Sequence, residues 1–176
     1  GVVLQDGGLD SDFSVFDNLV LHGMYFNLAR KKSIAKARDL LHQFSLHEKD
    51  QNMVESLPLN LRRRLSIAKV LMSDPEILIL DEPTKDLDPG GRLQLWSIIQ
   101  KLKRRGLTIL IGTQFMDEAE ALCDQVAMLD KGKVLASGAP RQLIDNFIGT
   151  EIVEFKVNPG DMEYHLLKIR KEFEFQ

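Results

Sequence analysis

The chain has 176 residues, 44% of them hydrophobic, a formal net charge of −3 and a pI near 5.8. That length suits one domain or the larger part of one, and the acidic balance argues against a nucleic-acid-binding surface, which would show a basic excess. A single cysteine, Cys123, rules out a disulfide within these residues, no apolar run reaches the ~20 residues that span a bilayer, and no signal peptide is expected from the sequence.

The chain opens on a short apolar strand, Val2-Val3-Leu4, followed by Gln5 and a glycine-bearing loop at Gly7-Gly8. It has no initial Met and no cap or turn before that strand, which suggests a fragment. Asp17 is a candidate cap for a helix over 18–28. Ile34, Ala37, Leu40, Leu41 and Phe44 recur at helical spacing, predicting an amphipathic helix over 33–46 with Ser33 as its cap. The basic group Arg30-Lys31-Lys32 before it reads as a solvated loop. His22, His42, His47 and His165 show no metal-ligand spacing.

Leu61, Leu65, Ala68, Leu71 and Met72 predict the core face of a further helix, stopped by Asp74-Pro75. Ile77 to Leu80 is an unbroken apolar run, the pattern of a parallel strand buried on both faces. Asp81, Glu82 and Pro83 follow at once. Ligands of parallel sheets sit just beyond the carboxyl ends of the strands, where adjacent carboxylates suit a metal ligand beside a base or water-orienting group.

The residues DEPTKDLDP, with LRRRLSIAKVLMSDP before them and GTQFMDEAEALCD after, resemble the ATP-binding subunit of ABC transporters, nearest the drug and polysaccharide exporters. The resemblance runs from Gly1 to about Phe155. It implies an α/β fold: part of a P-loop NTPase core, with a mostly parallel sheet and a helical subdomain at about 15–72. Residues 1–150 would form the nucleotide-binding domain, without its phosphate loop, and 151–176 an accessory segment.

In this resemblance Asp81 matches the Walker B aspartate, which holds Mg²⁺, and Glu82 the catalytic glutamate that polarises the attacking water. Gln5 matches the Q-loop glutamine, a second Mg²⁺ contact. Leu87, Asp88 and Pro89 match the end of the D-loop, with Asp88 a nucleotide-site residue. Gln114 stands where the family carries its switch histidine; an amide can hydrogen-bond but cannot carry imidazole's charge. The signature segment, LSGGQ in the family, here reads Leu57-Pro58-Leu59-Asn60-Leu61, with Asn60 and Arg62 as its candidate phosphate contacts. Pro58 lacks both an N–H and a hydroxyl, so weakened nucleotide binding is expected there. Arg62, Arg63 and Arg64 are consecutive, and consecutive residues point around a helix rather than at one ligand. Asp86 takes the place of the usual D-loop glycine and must tolerate left-handed backbone angles.

The resemblance implies ATP and Mg²⁺ as cofactors. It also implies a second nucleotide-binding subunit and a transmembrane permease as partners, and a cytoplasmic position on the inner face of the cell membrane. It leaves two activities open: an ATPase that powers export, or a degenerate, non-catalytic subunit with a structural or regulatory role. No G-x-x-x-x-G-K-[ST] phosphate loop occurs in the sequence, and without the strand that bears it the sheet is expected to leave a hydrophobic face or edge uncovered.

Arg92 to Arg105 is predicted as a helix with Leu95, Trp96, Ile98, Ile99 and Leu102 turned inward, capped by Gly106. Residues 107–111 predict a second buried strand. Asp117, Glu118 and Glu120 open a helix, where acids suit the dipole. Residues 125–129 and 133–137 predict a hairpin around Asp130-Lys131-Gly132, and Pro140 a short helix over 141–147. An alternating strand over 151–157 and a charged amphipathic segment over 162–171 close the chain.

Overall fold

A computed structural model describes residues 1–5 and 8–147. The strand over 151–157, the segment over 162–171 and His165 lie outside the described residues. Three helices follow the first strand, β1 (Val2–Val3): α1 (Val15–Tyr25), α2 (Arg30–Gln43) and α3 (Leu59–Leu71). Then come β2 (Ile77–Asp81), α4 (Pro89–Arg104), β3 (Thr108–Gly112) and α5 (Met116–Leu122). The hairpin β4 (Val126–Asp130) and β5 (Lys133–Gly138) ends this unit. Helix α6 (Pro140–Phe147) belongs almost wholly to a second unit that begins at Arg141.

Strands β1, β2 and β3 form a parallel sheet in that order. Val3, Leu80 and Ile111 share one face through the register, and Val2, Ile79 and Leu110 the other. The first face is covered: Leu78 and Leu80 are fully buried. The second is open, with Val2 52%, Ile77 52% and Leu110 60% exposed. The apolar run 77–80 is therefore covered on one face only, and 107–111 alternates in the same way. The open apolar face that the sequence leads one to expect is present.

Several helix boundaries differ from expectation for local reasons. Ser14, not Asp17, caps α1: its Oγ accepts from the Asp17 N–H at 3.0 Å and donates to the Asp17 carboxylate at 2.7 Å. Helix α2 begins at Arg30, so the three basic residues form its exposed first turn. Ser33 is no cap; it is fully buried and donates to the Val20 carbonyl at 2.7 Å, pinning α2 to α1. Helix α3 is buried over the whole stretch Arg63 to Ala68 rather than on one stripe, because it runs through the middle of the unit. Its neighbours are α1, α2, α4 and β1.

The hairpin turn needs positive φ at both central residues, and Lys131 (46°) and Gly132 (74°) supply it. Gly106 follows α4 at φ 92°, as a helix-terminating glycine should.

His22 lies on α1 with its ring 4.9 Å from that of Phe26. Burial lowers its pKa below the ordinary 6.5, and the nearby Lys69 ammonium lowers it further. A pKa lower in the folded than in the unfolded chain means that unfolding takes up a proton. The stabilisation from neutral His22 is complete above 6.5 and is lost as pH falls through that value toward the folded pKa. We expect the thermal midpoint to fall between about pH 7.5 and about pH 5.5, and His22→Gln to flatten part of that fall in a melting series. Parallel profiles for the two proteins would refute the assignment.

Candidate functional site at the carboxyl edge of the sheet

Parallel pairing puts the ends of all three strands on one edge. Asp81 is the last residue of β2 and pairs in register with Gly112, the last of β3. Gln5 lies two residues past β1 and Gln114 two past β3. With the order β1-β2-β3, the two glutamines flank Asp81 and Glu82. The sheet thus sets three separate stretches of the sequence on one edge.

The backbone at this edge is strained. Glu82 has φ 46°, a left-handed conformation uncommon for a residue with a side chain. It is held there from both sides: its N–H donates to the Gly112 carbonyl at 2.8 Å, and its carbonyl accepts from the Lys85 N–H at 3.2 Å. The Glu82 Oε2 is buried and has no hydrogen-bond partner among the described residues. A Cβ at Gly112 would stand 3.5 Å from the Asp81 Oδ1, so glycine there leaves the Asp81 carboxylate open on the β3 side.

The turn 84–88 follows. Asp86 adopts φ 63°, so an aspartate does serve in the left-handed position. The Leu87 N–H donates to the Thr84 carbonyl at 3.2 Å. Asp88 caps α4 through its backbone, its carbonyl accepting from the Arg92 N–H at 2.9 Å. Thr84 is fully buried, and its Oγ1 has no partner among the described residues, a feature that a Thr inside an acidic turn does not announce in the sequence.

The remaining expected contacts form a second group at the start of α3. Pro58 caps α3 with no side-chain hydrogen bond. Asn60 turns its Oδ1 back onto the Leu61 N–H at 2.8 Å, occupying a donor at the helix start. A Cβ on Gly91 would lie 3.3 Å from the Asn60 Cβ, which places Asn60 against the first turn of α4 and near Asp88. The three arginines go to three partners. Arg62 reaches back to the Leu57 carbonyl at 3.0 Å, Arg63 donates to the Gln5 carbonyl, and Arg64 donates to the Gln94 Oε1. Burial lowers the Arg64 pKa.

Of two acids near Gln114, one is exposed and the other buried. Asp117 pairs with Arg92 at 3.0 Å. Glu118 is fully buried and accepts from the Trp96 indole N–H at 3.0 Å. Its role is thus not only to favour the start of α5. The stacked His42 and His47 rings, 4.5 Å apart, have no third ligand, and no group of three His, Cys, Asp or Glu converges on a metal among the described residues.

A family model described as ABC transporter matches residues 1–85. The chain is 39% identical over 175 residues to the Nod factor export ATP-binding protein I of Burkholderia lata, covering 99% of this chain and 58% of that protein. It is 41% identical over 163 residues to the protein of the same name from Rhizobium meliloti, covering 92% and 49%. The chain belongs to the ABC transporter ATP-binding family. It spans about half the length of the curated relatives it matches. The fold agrees with that of a solved structure, cbiO1 from Clostridium perfringens, described as part of the ABC transporter complex cbiONQ. The TM-score is 0.76 at 25% identity, covering 99% of this chain and 67% of that one. Membership in this family implies nucleotide binding.

The orphaned Thr84 hydroxyl gives a direct test of the local geometry. Thr84→Val keeps the volume and removes the unpaired group, so it should raise stability by about 1 kcal/mol in urea denaturation without nucleotide. A loss of stability would show that the hydroxyl is hydrogen-bonded.

Proposed function

We propose that this chain forms the Walker B, Q-loop and switch portion of an ATP-hydrolysing subunit that powers export. It would work with a second nucleotide-binding subunit and a membrane-spanning permease, on the cytoplasmic face of the membrane. The observation that carries this reading is the sheet edge: Asp81 and Glu82 at the end of β2, between Gln5 and Gln114, with Glu82 in left-handed backbone. Among the described residues no helix is long and apolar enough to cross a membrane, so the pathway itself would belong to a partner.

The donors present suit Mg²⁺, a hard cation that takes one or two carboxylates and completes its shell with water and substrate phosphates. Asp81 would hold it with Gln5 alongside, and when bound it neutralises charge on the phosphate oxygens. Glu82 supplies a carboxylate oxygen with no competing partner, able to accept a proton from an attacking water. Gln114 can donate its amide N–H to a phosphate oxygen but carries no charge. The phosphates' main cradle has no counterpart in these 176 residues. Binding and turnover are therefore properties of the complete protein, and Glu82 has no substrate to act on without that cradle.

Glu82→Gln in the complete protein should retain nucleotide binding and lower ATP turnover by on the order of 10²-fold or more. Unchanged turnover would remove Glu82 from the chemistry.

A second reading, a degenerate subunit, rests on the start of α3. Pro58 offers no donor, and Asn60 already uses the Leu61 N–H. Phosphate recognition at a helix start depends on free N–H groups there. Under this reading, Pro58→Ser with Leu59→Gly and Asn60→Gly should raise ATPase activity of the complete protein above that of the parent. No gain would mean that the segment does not limit turnover.

A further inference from the structure

Helix α5 has seven residues, too few to be stable alone. Only Glu118 and Leu122 of it are buried. Its place is set largely by polar links from one face of α4. Arg92 pairs with Asp117, and Trp96 donates to Glu118. Gln100 donates to the Ala121 carbonyl at 3.3 Å, and Lys103 to the Leu122 carbonyl at 3.0 Å. Positions 92, 96, 100 and 103 follow helical spacing, so the four links form a row along α4. The Arg92 guanidinium also lies 4.6 Å from the centre of the Phe115 ring, just past Gln114.

Within this row the Trp96–Glu118 bond differs in kind. It joins the single tryptophan of the chain to a carboxylate with no exposed surface. The other carboxylate oxygen, Oε2, has no partner among the described residues. A buried acceptor whose one donor is removed becomes costly, so the bond holds α5 strongly against α4. Helix α4 starts at the Asp88 cap, and α5 starts directly after Gln114.

We infer that Trp96 and Glu118 are a positioning pair: by locking α5 to α4 they fix the Gln114 loop relative to the turn 84–88 and hence to Glu82. The functional half of this inference rests on the ATPase reading above; the structural half does not.

The test is amide hydrogen exchange on the complete protein without nucleotide, for the parent and for W96F, E118L and E118Q. W96F removes the donor and keeps the aromatic bulk. E118L removes the acceptor and the charge. E118Q keeps an oxygen that accepts the indole proton. W96F and E118L should each speed exchange over 113–119 by on the order of tenfold, while residues 15–43 exchange as in the parent. E118Q should restore protection close to that of the parent. Where W96F fails to fold, E118L carries the test. Parent-like exchange over 113–119 in every folded variant overturns the inference. So does an equal rise over 15–43, failure of E118Q to restore protection, or failure of both W96F and E118L to fold.

Steady-state ATP turnover then separates the two readings. A hydrolysing parent with reduced kcat and unchanged KM in W96F, recovered in E118Q, supports the pair's role in the reaction. A hydrolysing parent with unaltered kcat in W96F overturns that role and leaves the ATPase reading standing. A parent without turnover overturns the ATPase reading, and the exchange data alone then decide whether the pair fixes the loop.

Discussion

Five parallel rungs between β2 and β3, from Ile77–Thr108 to Asp81–Gly112, determine where every candidate catalytic group stands. In a parallel pair all strands end on the same side, so a residue just past each strand converges on its neighbours without any local motif. A slip of one residue would turn Asp81 to the opposite face and carry Leu78 and Leu80 out of the core. Burial of those two leucines, each with no exposed surface, therefore specifies the register that aims the carboxylate. Packing on one face of the sheet and chemistry at its end are the same constraint.

The strain at Glu82 follows from this constraint. A chain leaving β2 must turn sharply while keeping the Glu82 N–H on the Gly112 carbonyl. Left-handed backbone at 82 and again at 86 gives that reversal within a few residues. Each non-glycine residue in this region costs about 1–2 kcal/mol, and the hydrogen bonds to Gly112 and Lys85 hold the first in place. A turn that only needed to connect β2 to α4 could have used glycine at either position.

The strand with two acids at its end was legible in the sequence, but the run alone fits a solvated acidic turn as well, and only the neighbouring motifs set it apart. Gln5 and Gln114 were singled out only through the order of motifs, since a lone glutamine after a strand carries little information. The open face of the sheet explains why residues 77–80 misled. Ile-Leu-Ile-Leu is equally apolar on both faces, so the run cannot say which face is covered, and β2 proves to be covered on one. Ser33 was misassigned as a cap for another reason. Capping and burial both use a serine hydroxyl, and only tertiary packing shows that Ser33 bonds the Val20 carbonyl on another helix. Trp96 and Glu118 lie 22 positions apart, and nothing local in either marks the other as its partner.

The two groups of candidate residues meet at α4. Its cap, Asp88, follows the turn after Glu82; Gly91 in its first turn admits Asn60 of the altered signature segment; Gln94 accepts from Arg64 of α3. The opposite ends of this network differ in chemical state. The sheet edge carries two carboxylates between two amides, whereas the start of α3 carries Pro58, which has no N–H, and an Asn60 that accepts from the Leu61 N–H. Helix α4 meets α3 both where Gln94 accepts from Arg64 and where Gly91 faces Asn60, so only part of that contact passes through residues 58–60. Substitution at residues 58–60 leaves the Arg64–Gln94 link in place and so probes the start of α3 separately from the sheet edge.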